Sequence, residues 1–430
     1  MVGRGEQCKV NKQSAFLVLY ANEKGQVIEH PQWTMLGRSG MEWVEPEREE
    51  MIPLPRGASL VSLPGQVPVA LAGGQVRPLS LAPDGRPAQA VAALLPQGFT
   101  RTLLPAGVSK LAQNELPLQG YAAVGFKNDK IWVAAVQSDE HRKWHPCHYN
   151  TEGLPGRIQR MLNKYPDNPI LRQLANCSLQ YGCYTAQNIF YGRWEGGMPT
   201  TNACNAGCIG CISESHIAVD SPQHRLDFQP SMQEISEVGI IHLNQAREGI
   251  ISFGQGCEGE PSLNADIIAP AIEVIRQQTQ QGTINMNTNA GYTAGIKTIC
   301  QAGLDAMRVT IFSCREDNYN AYHRPRKYGL KDVAASIRYA KGSGVRVALN
   351  LLSLPGFNDR EEEVEALLAF VQKNGVDMIQ IRNLNIDPDL LFRHVVGGGE
   401  VLGMVNFLYV LQQELPGVTI GSYTHPVGPK

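Results

Sequence analysis

From about residue 195 onward, apolar runs of strand length alternate with longer amphipathic segments. The runs are GIISFGQ (249–255), TINMNT (283–288), AMRVTIFS (306–313), VRVALNLL (345–352) and VDMIQIRNL (376–384). Between them lie SMQEISEVGIIHLNQ, DIIAPAIEVIRQQTQ, LKDVAASIRYAKGSG and REEEVEALLAFVQKNG, several of them closing on glycine as helices do. This alternation predicts βαβ units: parallel strands with helices outside, closed or partly closed into a barrel. With one more strand ahead of the cysteines near residue 204, about six units are expected. Residues 1 to about 125 differ, being rich in Pro and Gly with short Val and Leu runs such as ASLVSLPGQVPVAL, the texture of a small β-rich domain. Residues 153–185 carry apolar positions at helical spacing interrupted by YPDNP, which predicts two helices joined by a turn. The expected fold class is therefore α/β, a partial (β/α)6 barrel preceded by a small β-rich N-terminal domain and a helical connector. The expected divisions are 1–140 for the β-rich domain, 141–194 for a mainly helical connector, 195–390 for the barrel core, and 391–430 for a C-terminal helix and tail completing or flanking it.

A chain of 430 residues, 43% hydrophobic, can bury the cores of two or three domains. A formal net charge of −2 lacks the basic footprint of a nucleic-acid binder and leaves small molecules and proteins as partners. The opening MVGRGEQCKVNKQ has no apolar signal-peptide core, and no later run approaches a membrane span, so a cytoplasmic protein is expected. In that compartment ten cysteines are not a disulfide framework, and a tight group of them points to metal binding or redox chemistry.

That group is TTNACNAGCIGCIS, with Cys204, Cys208 and Cys211 within eight residues. Three thiolates can hold a metal centre and leave one position open, whereas a closed structural zinc site takes four protein ligands. A structural zinc completed by a distant Cys or His is the plain alternative. The Cys-x3-Cys-x2-Cys spacing resembles the radical S-adenosylmethionine (radical SAM) superfamily, in which this loop follows the first barrel strand. The resemblance covers about residues 195–385. It implies a [4Fe–4S] cluster on Cys204, Cys208 and Cys211, with the fourth iron chelated by the amine and carboxylate of S-adenosylmethionine.

Other stretches come in the order the family requires. Glu258-Gly259-Glu260-Pro261 stands where relatives carry a Gly-Gly-Glu-Pro-like turn that receives the cofactor's ammonium. Glu258 in place of the first Gly leaves both Glu260 and Glu258 as candidates for that contact. NTNAG follows the third strand, FSCRE with Ser313 and Arg315 the fourth, NLLSLPGFND with Asn350 the fifth, and Arg382 and Asn383 end the sixth. The resemblance thus implies cofactor binding by Gly259, Glu258, Glu260, Ser313, Arg315 and Asn350. Taken singly, such strand-end residues are ordinary caps and turns.

Several patterns are set aside. Gly254-x-Gly256-x-x-Gly259 spells a dinucleotide fingerprint, but Pro261 cuts the helix start and the next strand ends without an acidic residue. GGGE at 397–400 reads as a loop, HRKWHPCHYN as a polar loop, and YNAYHRPRKY as a solvated surface loop. Cys177, Cys183, Cys257 and Cys314 read as buried structural thiols. The function implied is a radical SAM enzyme, reduced by a donor such as flavodoxin or ferredoxin. It would generate a 5′-deoxyadenosyl radical that takes hydrogen from a small molecule, or from a peptide or protein docked on the N-terminal domain as in a maturase. From another class, a zinc-binding nicotinamide-dependent dehydrogenase would use the same cysteines and the Gly-rich match.

Overall fold

The computed structural model describes residues 15–109, 115–217 and 219–427. The polar opening segment, 1–13, lies outside the described residues.

The C-terminal half contains one sheet of seven parallel strands in chain order. We number them β1 (Arg193–Met198), β2 (Arg247–Phe253), β3 (Thr283–Thr288), β4 (Ala306–Ile311), β5 (Arg346–Ser353), β6 (Met378–Asn383) and β7 (Thr419–Gly421). The first six are the expected strands. The seventh pairs Met378–Gln380 of β6, and its three residues are too few to carry a periodic signal. The helices are α1 (Leu154–Lys164), α2 (Pro169–Gln180), α3 (Tyr184–Tyr191), α4 (Met232–Gln245), α5 (Ala265–Gln278), α6 (Thr293–Gln301), α7 (Glu316–His323), α8 (Leu330–Gly342), α9 (Glu361–Asn374), α10 (Pro388–Leu391) and α11 (Met404–Glu414). Local chemistry sets their ends. Ser231 and Glu234 form a reciprocal capping box at α4, and Asn168 caps α2 by accepting from Ile170 N and Leu171 N, with Pro169 at the first helical position. The two helices expected over 153–185 are α1 and α2, joined at YPDNP, and a third, α3, follows before β1 because Gly182, at φ +59°, breaks it from α2.

The strands alternate with period two. Ile251, Phe253, Ile284, Met286, Met307, Val309, Val347, Leu349, Ile379 and Ile381 face outward and share one core with the helices. Each such side chain contributes about 1.5–3 kcal/mol by leaving water. The opposite face is polar, with Glu195, Ser252, Asn285, Asn287, Arg308, Thr310, Asn350, Gln380 and Arg382 in the alternate positions. That face is concave. Thr424, in the tail after β7, reaches Arg308 of β4 at 2.9 Å and Glu195 of β1 at 3.5 Å, while Arg308 also reaches Gln380 of β6 at 3.3 Å. Side chains of first, middle and sixth strands meet at one point only if the sheet curls into a half-barrel.

The N-terminal domain is antiparallel. Its strand Leu17–Ala21 pairs with Val27–Met35, Gln89–Leu94 and Val124–Lys127. The hairpin from Val124–Lys127 to Lys130–Gln137 turns on Asn128 and Asp129, at φ 51° and 56°, as a two-residue turn of this hand demands. The domain is fastened to the upper end of β6. Arg101, fully buried, donates to the carbonyls of Tyr121 (3.2 Å), Ser353 (3.5 Å) and Leu384 (2.5 Å). Asn383 accepts from Arg101 N at 3.0 Å and donates to Phe99 O at 3.0 Å. Leu116 N donates to Asp387 at 2.8 Å, and Arg38 pairs with Asp389 at 2.6 Å. No helix among the described residues is long and apolar enough to cross a membrane.

Candidate functional site

The loop between β1 and α4 carries the three cysteines and has almost no regular structure of its own. It is positioned by neighbouring backbone on both sides. On one side Gly259 N donates to Thr201 O and Glu260 N to Ala203 O, both at 2.7 Å. On the other, Gly207 N donates to His323 O at 3.0 Å, Ile209 N to Tyr322 O at 3.0 Å, and Arg326 N to Asn205 O at 2.8 Å. The cysteine loop is thus the middle member of an irregular three-segment clamp.

The clamp explains the glycines. A Cβ on Gly259 would lie 2.0 Å from Ala203 O and 2.6 Å from Ala203 C. One on Gly254, already at φ +78°, would lie 1.8 Å from Asn287 O. Close backbone approach accounts for Gly254 and Gly259, while Gly256 makes room for the side chain of Gln223, so the Gly254-x-Gly256-x-x-Gly259 spacing needs no nucleotide phosphate.

The two candidate carboxylates are both buried and both filled. Glu258 accepts from Thr200 N (2.7 Å), Thr200 Oγ1 (2.9 Å), Gln255 N (2.9 Å) and Gly254 N. Burial pushes its carboxyl up to about 7 against the pull of those donors. Glu260 accepts from Ser262 N (3.1 Å), Ser262 Oγ (2.6 Å), Thr288 Oγ1 (2.5 Å) and Asn289 N (2.7 Å), and burial raises it as well. A carboxylate has about four acceptor positions, so these residues pin the β1, β2 and β3 loops together. Asn289 completes the tie by donating to Asn205 Oδ1 at 2.6 Å. Between the two carboxylates, the Gly259 carbonyl accepts no hydrogen bond among the described residues.

Cys204, Cys208 and Cys211 are half-buried. Burial pushes the Cys204 thiol up to about 11, with Glu260 adding to the effect, and raises Cys208 further. Donors surround the sulfurs. His323 is fully buried, and Phe312 N donates to its Nε2 at 3.1 Å. The ring proton therefore sits on Nδ1, which lies 3.4 Å from Cys208 Sγ. Arg225 places NH2 3.7 Å from Cys211 Sγ, held by Ser213 Oγ (3.2 Å), Asn202 O (3.1 Å) and Glu214 (2.7 Å). The loop offers three thiols rather than a converged shell: no three His, Cys, Asp or Glu side chains among the described residues are grouped to hold a single ion.

The YNAYHRPRKY stretch corrects an expectation. It begins in α7, Tyr322 and His323 are buried, and its backbone forms one wall of the clamp rather than a solvated loop. Sequence reasoning missed His323 and Arg225 because a contact to sulfur leaves no spacing rule. Ser313 Oγ donates to Glu363 at 2.6 Å and accepts from Arg315 N at 3.0 Å. Arg315 pairs with Glu362 and with Asp317 (3.2 Å), so both residues commit their polar groups around the acidic first turn of α9 and α7. Asn350 lies on the concave face, donating to Thr310 Oγ1 at 3.2 Å, with Oδ1 buried and unpartnered. Cys177 and Cys257 are buried and hydrogen-bonded to each other, as structural thiols are, and no cysteine among the described residues is in a disulfide.

Gly259→Ala is expected to force the β2 loop off Ala203 and abolish retention of iron after anaerobic reconstitution, with the far-UV circular dichroism unchanged. Iron retention equal to wild type would show that the close approach does not set the thiol positions.

Residues 198–371 match the family model of the radical SAM superfamily. The chain is 27% identical over 214 residues to the GTP 3',8-cyclase of Aquifex aeolicus (strain VF5), covering 48% of this chain and 62% of that protein. It is 22% identical over 200 residues to the GTP 3',8-cyclase of Erythrobacter litoralis (strain HTCC2594), covering 45% of this chain and 55% of that protein. The chain thus spans less than two thirds of the curated relatives it matches. Among solved structures it is similar to a radical SAM methyltransferase from Sphaerobacter thermophilus, with a TM-score of 0.40, 18% identity, and coverage of 54% of this chain and 65% of that one. It is also similar to SuiB of Streptococcus suis, with a TM-score of 0.38, 13% identity, and coverage of 63% and 59%.

Proposed function

We propose that this chain, whose residues 198–371 form a radical SAM domain, is an enzyme that cleaves S-adenosylmethionine reductively at a [4Fe–4S] cluster. The observation that carries the reading is the clamped loop, which presents Cys204, Cys208 and Cys211 as three thiols with N–H donors beside two of the sulfurs. Those residues fit the cluster: three thiolates hold three irons, and outer N–H groups are what clusters use to adjust their potential. When bound, the cluster supplies one electron that splits the sulfonium of S-adenosylmethionine and releases a 5′-deoxyadenosyl radical able to take hydrogen from the substrate.

The chain's own residues prepare that event. Cys204, Cys208 and Cys211 bind the irons and must lose their protons to do so, so loading releases protons into solution. His323 Nδ1–H stabilises negative charge on Cys208 sulfur, and Arg225 does the same at Cys211. Glu258 and Glu260 hold the turn in which the Gly259 carbonyl is available to the cofactor's ammonium. Ser313, Arg315 and Asn350 stand at the later strands as the further cofactor-binding group. The polar concave face receives a small-molecule substrate. A confined space closed along β6 by the N-terminal domain suits that reading better than a docked peptide. A flavodoxin or ferredoxin would deliver the electron, and a cytoplasmic location would keep the thiols reduced.

After anaerobic reconstitution the wild type is expected to bind about four irons and to form 5′-deoxyadenosine from S-adenosylmethionine with dithionite, whereas Cys204→Ala does neither. A colourless protein with stoichiometric zinc, and no product from either form, would sink the proposal.

A separate expectation concerns His323. His323→Phe removes the donor to Cys208 and should load iron normally yet shift the cluster's reduction potential to a more negative value, while His323→Gln stays nearer wild type. An EPR-monitored redox titration with coincident midpoints for all three forms would contradict the tuning role.

A further inference from the structure

The concave face holds two cations, Arg308 on β4 and Arg382 on β6, and one carboxylate, Glu195 on β1. Neither arginine forms an ion pair with any carboxylate among the described residues. Glu195 instead accepts from Ser252 Oγ at 2.7 Å and Thr424 Oγ1 at 3.5 Å. Each guanidinium carries five N–H donors, most of them unengaged. Arg382 makes one hydrogen bond, to Ser422 O at 2.8 Å. Arg308 reaches Gln380 Oε1 at 3.3 Å and Thr424 Oγ1 at 2.9 Å, and its Nε is buried without a partner. Gln380 and Arg382 are two apart on β6 and share a face, so the two cationic tips lie close together. Desolvation destabilises both, and at Arg382 desolvation together with the Arg308 charge pulls the pKa down to about 10.

Arg101 shows what a structural buried arginine looks like in this protein. It too lacks a carboxylate and leaves its Nε without a partner, but three backbone carbonyls take its terminal N–H groups. Arg308 and Arg382 have no such carbonyl cage. The charge of Glu195 favours both cations but is one against two, so the pair keeps an excess positive charge in a partly dry site, which is costly unless a further anion joins it.

Open space adjoins Arg382, whereas Arg308 lies behind it and does not line that space. A cavity of about 340 Å³ opens beside Arg382, between the edge of β6 and the N-terminal domain, with Gln97, Gln119, Asn383 and Ser422 among its walls. On the same concave face Asn285 Oδ1 and Asn350 Oδ1 are buried and unpartnered acceptors. We propose that Arg308 and Arg382 bind an oxyanion of the substrate, a carboxylate or a phosphate. The substrate enters from this cavity, and Asn285 accepts a hydrogen bond from a donor group on the same molecule. Naming the ligand as the substrate rests on the radical SAM reading; the anion site itself does not. The tail residues Ser422 and Thr424 hold the two guanidinium groups toward the site.

The test is isothermal titration of the anaerobically reconstituted full chain with pyrophosphate and, separately, citrate, at fixed ionic strength in chloride. At least one probe should bind saturably to wild type. Its affinity should fall at least tenfold in Arg308→Gln and in Arg382→Gln, and by much less in the charge-preserving Arg308→Lys and Arg382→Lys. Iron content and visible spectrum should stay at wild-type values, and the exposed-site control Arg172→Gln should bind normally. The proposal is overturned by the absence of saturable binding of both probes, by equal affinity in the Gln variants, by Lys variants that bind no better than Gln variants, or by displacement of the bound probe by S-adenosylmethionine, which would assign the arginines to the cofactor's carboxylate. Tight probe binding in a chain that holds no cluster would leave the site standing and remove the radical SAM reading.

Discussion

The structure depends on the approach of two main chains at Gly259 and Ala203. The cysteine loop cannot order itself, because it has neither helix nor strand hydrogen bonds, and thiols on an unordered loop could not hold one cluster geometry. Backbone pairing to the β2 turn on one side and to residues 322–326 on the other supplies the missing order. Each bond contributes only about 1 kcal/mol net, but five of them fix the path of the chain through all three cysteines. A side chain at Gly259 would end the arrangement, since the atom in its way is a carbonyl oxygen with nowhere to move.

That constraint imposes a division of roles that residue types alone would assign differently. Glu258 and Glu260 are charged, buried and beside the thiols, which suggests ligands for a cofactor, yet each is saturated by donors from its own chain. They act as staples between strand ends. The groups that face sulfur are His323 and Arg225, brought in from α7 and from the far end of the cysteine loop. On the concave face the order is reversed: the arginines lack the three carbonyls that hold the terminal N–H groups of Arg101 and are left with donors to give. Saturated groups near the thiols and unsaturated groups in the barrel form a graded site, and the proposed function needs that grading: rigidity for a metal centre and receptiveness for a variable molecule.

Much of this was legible in the amino-acid order. Strand alternation in AMRVTIFS and VDMIQIRNL shows which side chains face the helices, Ser231 with Glu234 announces α4, and the cysteine triplet stands out by density. What was hidden depends on contacts distant in sequence. Tyr322 to Arg326 pairs with the cysteine loop through main-chain atoms, so its basic, aromatic side chains gave a surface reading that burial overturns. The break between α2 and α3 is only a few residues long, and β7 is three residues of ordinary polarity. Arg308 is hard to single out because one inward arginine in a strand says nothing until Arg382 and the lack of a carboxylate are seen together. Local pattern fixes elements, whereas the chemistry arises where elements meet.

The most direct test of the three-thiol centre is pulsed electron-nuclear double resonance on the reduced, reconstituted protein with S-adenosylmethionine labelled by 15N at its amine. The proposed function predicts a 15N hyperfine coupling to the cluster, because three cysteine ligands would leave one iron open to the cofactor's amine. A fully loaded cluster whose spectrum is unchanged by the cofactor and shows no such coupling would mean that the fourth position is already closed, and would contradict it.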